Sequence, residues 1–256
     1  MNARVFGALL LRDAVVAKRE IVAILIRTMV QPVLFVIVFG LLLPRMGIIP
    51  RDYAAVMLPG IVALAVTMTP ILSVAMPLIS DFGTTKEIED RLLAPVPIEL
   101  IAIQKVVSGV LQGVLAVLFV MPVARLLMGP VEGLTLRNLP LLAVMVILGG
   151  AVFSAFGLLL GTSMPPQHVS LMMQVIFAPM IMLGCAYYPW RGLDHFPVLQ
   201  YAVLINPLVY ISEGMRAALT PEVEHMPVAA ILGTLIVLTA VLLWAGLRQF
   251  RKRAIG

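Results

Sequence analysis

The side chains able to do chemistry fall into two clusters. Asp81, Lys86, Glu87, Glu89, Asp90 and Arg91 crowd residues 80–97, the densest run of charge in the chain. Glu213 and Arg216 stand one helical turn apart much later. The other candidates are scattered. His168, His195, His225 and the single Cys185 sit in different segments. They offer neither a Cys/His metal spacing nor an H-E-x-x-H pair, and His168 reads as a helix-start residue rather than a ligand. Gly83-Thr84-Thr85-Lys86 is no phosphate loop, because its lysine lacks the preceding glycine of that motif. No pair of carboxylates lies inside an apolar run, which argues against proton-driven transport and aspartyl proteolysis. The expectation is a chain with no catalytic, cofactor or metal site of its own.

The 80–97 stretch carries start and stop signals for a short helix. Thr84 with Glu87 three residues on fits a capping box. Glu87 precedes Arg91 by one turn in the favourable order. Ala94 precedes Pro95, so the helix ends near Leu93. Ile88 and Leu92 share a face, with Glu89 and Asp90 turned away. The spacing predicts an amphipathic helix at a membrane surface with a face to offer a partner. The bland alternative is a solvated turn.

These clusters interrupt an apolar background. The chain has 256 residues, of which 61% are hydrophobic, and its mean hydropathy is +1.07. A soluble domain of this size cannot hide so much apolar surface, so the class is an all-α polytopic membrane protein. A β-barrel has short alternating segments instead. No secretory signal is expected, because Arg12, Asp13, Lys18, Arg19 and Glu20 break up the first twenty residues. One cysteine excludes an internal disulfide framework. A single transmembrane domain, residues 1–256, is predicted.

Taken in order, residues 1–20 fit an interfacial helix with basic side chains reaching headgroups, or an extension of the first span. Span 1 runs from about Ile21 to Leu43, with Arg27 near its start and a bend at Gln31-Pro32. Span 2 covers Tyr53 to Ser80, interrupted by Pro59, Pro70 and Pro77. Span 3 runs from Ile98 to Leu127. No Asp, Glu, Lys or Arg occurs from Asn138 through Trp190. That run must fold back at the breaker 161–167, giving span 4 at Leu139–Leu160 and span 5 at His168–Ala186. Residues 187–226 open on an aromatic belt signature, Tyr187-Tyr188-Pro189-Trp190. Phe196 to Ser212 is apolar but broken by Pro197 and Pro207, which suits a re-entrant or interfacial helix pair. Glu213 and Arg216 read either as a local ion pair or as two exposed charges. Span 6 covers Pro227 to Leu247, before a basic tail of Arg248, Arg251, Lys252 and Arg253. Gly109/Gly113 and Gly157/Gly161 permit close helix approach. The methionines around Met164–Met182 read as filler rather than a binding surface.

Six spans place both termini on one side. That side and the 80–97 loop carry twelve of the 18 Lys and Arg residues, so the positive-inside rule assigns it to the cytoplasm.

The chain resembles the membrane subunit of a type-2 ABC exporter over nearly its whole length. The most specific parts are Ile88 through Pro97, Asn206-Pro207-Leu208-Val209-Tyr210, Gly214-Met215-Arg216, and the run from Phe177-Ala178-Pro179 to Tyr188. The resemblance implies that Thr85, Lys86, Glu87, Ile88, Glu89, Asp90, Arg91 and Leu92 form a coupling helix docking on a separate ATPase. It implies that Asn206, Pro207, Tyr210, Glu213 and Arg216 belong to outer re-entrant helices. It further implies two ATPase subunits that bind ATP and Mg, a second membrane subunit, identical or homologous, and a multi-pass place in the inner (plasma) membrane. No nucleic-acid partner is expected. The few charges in the spans favour an amphiphilic, lipid-linked or drug-like cargo over a small ion. The alternatives are a secondary transporter, or half of one, which calls for intramembrane carboxylates or two similar halves with broken helices, and an intramembrane enzyme, which needs a catalytic set the spans lack.

Overall fold

The structure is a computed structural model. It describes Val30, Pro50, Val131 and residues 33–48, 53–83, 97–129 and 133–255. Among them every regular element is helical. The interfacial helix expected over residues 1–20, Arg27, the Gln31-Pro32 bend and the 84–96 stretch lie outside the described residues.

Helix α1 is Val33–Arg45. Helix α2 is Tyr53–Gly83, α3 is Ile98–Met128 and α4 is Leu139–Ser163. Segment α5 occupies residues 166–182. It is built from a 3-10 turn Pro166–His168, an α-turn Val169–Met172, a π-turn Met173–Phe177 and a last α-turn Ala178–Met182. The short helix α6 is Pro197–Ala202 and passes into a 3-10 turn Val203–Ile205. Helix α7 is Pro207–Leu219 and α8 is Val228–Ile255. Four of these, α2, α3, α4 and α8, are long and apolar enough to cross a membrane.

Helix α2 is the mast of the bundle. Helices α1, α3, α4 and α7 all pack on it. In its most apolar window 83% of the residues are buried, against 11% for α8, so α8 turns most of its surface outward. Pro59, Pro70 and Pro77 lie inside α2, which runs unbroken through the span expected at Tyr53–Ser80. Each proline removes one backbone donor and leaves a carbonyl one turn earlier without its helical partner. In a membrane helix such losses are tolerated where neighbours close around them. Around Pro70, the Thr67 hydroxyl donates to the Ala63 carbonyl at 2.7 Å and the Ser73 hydroxyl to the Pro70 carbonyl at 3.1 Å.

Small residues set the helix spacing. A Cβ at Gly157 would stand 2.8 Å from the Ile71 oxygen, and one at Gly161 would stand 2.9 Å from Leu78 Cβ. On α3, a Cβ at Gly113 would stand 2.8 Å from Pro70 Cγ. The α4 pair therefore faces α2 backbone directly, while the α3 pair meets side chains, Gly113 that of Pro70 and Gly109 those of Ser154 and Val74. A main core joins α2, α4 and α7. A satellite core lies apart from it and gathers Val74, Leu78, Ile101, Ala102, Val106, Leu158 and Phe250.

Two boundaries differ from expectation. Segment α5 stops at Met182 instead of Ala186, because the chain turns at Leu183 to reach a left-handed Cys185, whose φ is 51°. Helix α8 runs on to Ile255, so the basic residues are its last turns and not a separate tail.

Gly157→Val forces a branched side chain against α2 backbone and is expected to cost about 1–3 kcal/mol, as overpacking does. Gly233→Ala on α8, where nothing lies within 4 Å, is expected to leave stability unchanged or raised. Unfolding of the two variants in detergent checks the contrast.

Candidate functional site

The 85–92 cluster lies outside the described residues, so the site that can be built is the outer one. It starts from an Asn-Pro pair. Asn206 is the N-cap of α7, its side-chain oxygen accepting from the Leu208 N–H at 3.0 Å, and Pro207 occupies the first helical position. Both are favoured there, since the cap oxygen satisfies an orphan N–H donor and proline has no N–H to leave unpaired. The Asn206 amide also donates to the Met180 carbonyl at 2.8 Å. One side chain thus starts α7 and ties it to the end of α5. Tyr210 fixes the preceding turn, its hydroxyl donating to the Leu204 carbonyl at 2.9 Å.

Every residue of α7 from Ile211 to Leu219 is buried. The helix packs on α2, α4 and α8. Its close contacts come from small residues. A Cβ at Gly184 would overlap Leu208, and one at Gly214 would overlap Met145 Sδ. The Ser212 hydroxyl donates to the Gly184 carbonyl at 2.9 Å.

Within this helix Glu213 and Arg216 are both fully buried and pair at 2.7 Å. That decides between the two readings of these residues in favour of an ion pair, and it places the pair in the core rather than at a surface. Both oxygens of the carboxylate are engaged. One oxygen accepts from the Arg216 guanidinium and from the Trp190 N–H at 2.9 Å. The other accepts from the Met226 N–H at 2.9 Å. The guanidinium also donates to the Cys185 carbonyl and, at 3.3 Å, to the Ala186 carbonyl. Burial pulls the pKa of Arg216 down from its ordinary value, and the Glu213 carboxylate opposes that shift. A guanidinium keeps its proton in proteins regardless.

The pair is therefore a knot in the backbone. It ties the turn after α5, the entry to the outer segment at Trp190 and its exit at Met226 to one helix. Residue types alone do not mark Cys185, Ala186, Trp190 and Met226 as its partners, because they contribute backbone groups. One signal was available at Gly60. A Cβ there would overlap the Ala186 carbonyl, so α2 carries glycine where the knot's acceptor presses against it. The aromatic run is also used inward. The Tyr187 ring lies 4.9 Å from Phe35 of α1, and its carbonyl accepts from the Tyr53 hydroxyl. The Trp190 indole donates to the Gln200 carbonyl at 2.9 Å.

Chemically the arrangement binds and holds; it offers no nucleophile beside a base. Among the described residues no group of His, Cys, Asp and Glu could hold a metal ion.

Glu213→Ala leaves the guanidinium buried without its counter-charge and is expected to lower stability by about 3–5 kcal/mol. Replacing both members, as in Glu213→Leu with Arg216→Leu, is expected to cost less than the two single losses added. Denaturant unfolding in detergent of Glu213→Ala checks the first loss, and that of the double variant and of Glu213→Leu and Arg216→Leu alone measures the coupling.

A family model described as ABC-2 type transporter matches residues 4–220. The chain is 28% identical over 228 residues to the inner membrane transport permease YadH of Escherichia coli K12, a match covering 83% of this chain and 82% of the relative. Proteins of the same name from Escherichia coli O157:H7 and Shigella flexneri match to the same extent. No solved structure matches the chain.

Proposed function

The chain belongs to the ABC-2 type transporter family, and on that premise we propose that it forms, with a second membrane subunit, the export path of an ATP-driven transporter. It is a membrane transport subunit of an ABC-type transporter. The observation that carries the rest is the reach of the family match. Residues 4–220 include the charged 84–96 stretch and end one residue past α7.

The reading assigns three parts. Thr85 through Leu92 form a coupling helix that docks on a separate ATPase, with Ile88 and Leu92 as its apolar face. Two such ATPases hold ATP and Mg and close on each other; this chain contributes the lever and the path. The outer segment, residues 187–226, is a re-entrant cap held by the Glu213–Arg216 pair. Six spans leave both termini and the coupling stretch in the cytoplasm, the chain lying in the inner membrane. Support for an amphiphilic or lipid-linked cargo comes from the spans themselves. Several of their hydroxyls bond back to their own helix, as Thr67, Thr162 and Thr239 do. They leave little polar lining for an ion.

The deciding experiment concerns docking. Ile88→Asp with Leu92→Asp exchanges the apolar face for charge. Burying each such side chain is worth roughly 1.5–3 kcal/mol, so affinity for the ATPase is expected to fall by orders of magnitude while membrane insertion is kept. Pull-down of the co-expressed ATPase reads the effect; undiminished pull-down contradicts the docking role. Reporter fusions after Arg91 and after Arg253 are expected to report cytoplasm and a fusion at Asp194 the outside. A cytoplasmic signal at Asp194 overturns the six-span arrangement.

A further inference from the structure

The stretch assigned to the ATPase has two stems, Gly83 at the end of α2 and Ile98 at the start of α3. The last turns of α8 reach both. Phe250 is fully buried in the satellite core with Ile101 and Ala102 of α3. Its ring meets the Phe82 ring edge-on at 5.5 Å. Arg253 completes the junction. Its guanidinium carbon lies 4.9 Å from the centre of the Phe82 ring. One guanidinium nitrogen donates to the Thr162 carbonyl at 2.8 Å, with the Met164 and Gly161 carbonyls at 3.3 and 3.5 Å.

Those carbonyls close α4. The last carbonyls of a helix have no partner of their own and carry the negative end of its dipole, so a cation there is held by both effects. The ring face adds a second attraction for the same cation. Arg253 is thus no solvated tail charge. Its neighbour Arg251 is, being 67% exposed and 3.8 Å from a half-exposed Glu99. The third strut is Gly83, where a Cβ would overlap Pro166 at the start of α5.

We propose that Arg253 is a positioning residue for the 84–96 stretch: it clamps Phe82 at one stem to the end of α4, while Phe250 packs against the other stem. The α8 terminus is then part of the coupling device, passing movement of that stretch to α4 and α8. The mechanical role rests on the docking reading above; the positional claim does not.

The test uses the full chain in inside-out membrane vesicles, with and without the co-expressed ATPase. Lys86→Cys supplies a thiol in the stretch, and a membrane-impermeant maleimide reads its accessibility over time. The native Cys185 is fully buried and gives little background. Arg253→Ala is expected to raise the labelling rate roughly tenfold in both preparations, the factor that a lost hydrogen bond to a charged group carries. Arg253→Lys, which keeps the cation but not the planar fork, is expected to fall between. Arg251→Ala is expected to label like the parent. Equal labelling of Arg253→Ala and parent overturns the proposal, as does an equal rise with Arg251→Ala. Failure of the ATPase to slow labelling of the parent overturns the docking reading instead, and the ATPase-free vesicles still decide the role of Arg253. If Arg253→Ala does not accumulate, Arg253→Lys carries the decision: parent-like labelling with parent-like accumulation rejects the clamp.

Discussion

A carboxylate with four backbone clients, two of them through its arginine, is the constraint on which the segment between α5 and α8 depends. Glu213 holds the Trp190 and Met226 N–H groups and, through Arg216, the Cys185 and Ala186 carbonyls. These four positions bracket the segment between α5 and α8. Irregular backbone at such a place has no ladder of its own, and in an apolar setting its polar groups cannot turn to water. A buried charge pair is an expensive solution, since desolvation can exceed the attraction. It becomes sensible when the pair also satisfies backbone groups that have no other partner. Stability alone does not explain the choice; a fixed geometry for the outer segment does.

The opposite end of α2 uses a different device for the same purpose. There, helix ends rather than loops need fixing. The satellite core draws together α2, α3, α4 and α8. Arg253 closes the exposed carbonyls of α4. Between the two ends, glycines let α3 and α4 approach α2 closely, α4 to backbone distance. Close-packed contacts of this kind transmit displacement instead of absorbing it. A movement at the α2–α3 stems therefore has a stiff route along α2 and α4 toward α7, which packs on both.

Much of the architecture was legible in the residue order. Runs free of charge between clusters of Lys, Arg and Pro marked α2, α3, α4 and α8, because the hydrocarbon layer enforces length and apolarity together. The break at 161–167 was visible as a Thr-Ser-Met-Pro-Pro run. The prolines of α2 did not hide its extent, since one apolar run spans all three and the helix continues through them. The end of α5 was missed because a turn at Leu183–Cys185 carries no proline and only one glycine. Glu213 and Arg216 were visible as a pair, yet their burial was not, because their partners are main-chain groups that leave no mark on residue type. The Asn206-Pro207 dipeptide is the instructive case. Pro207 alone reads as a breaker, whereas with Asn206 before it the pair reads equally well as a cap followed by a first helical proline.

The claim that one carboxylate fixes the outer segment is open to a direct measurement. Hydrogen–deuterium exchange of the protein in detergent, resolved to the peptides carrying the Trp190 and Met226 amides, compares the parent with Glu213→Gln. The amide isostere keeps the shape but not the charge. The account predicts that both amides are strongly protected in the parent and lose protection together in the variant, while peptides within α2 and α4 exchange as before. Unchanged protection at Trp190 and Met226, or loss spread evenly through α2 and α4, would contradict it.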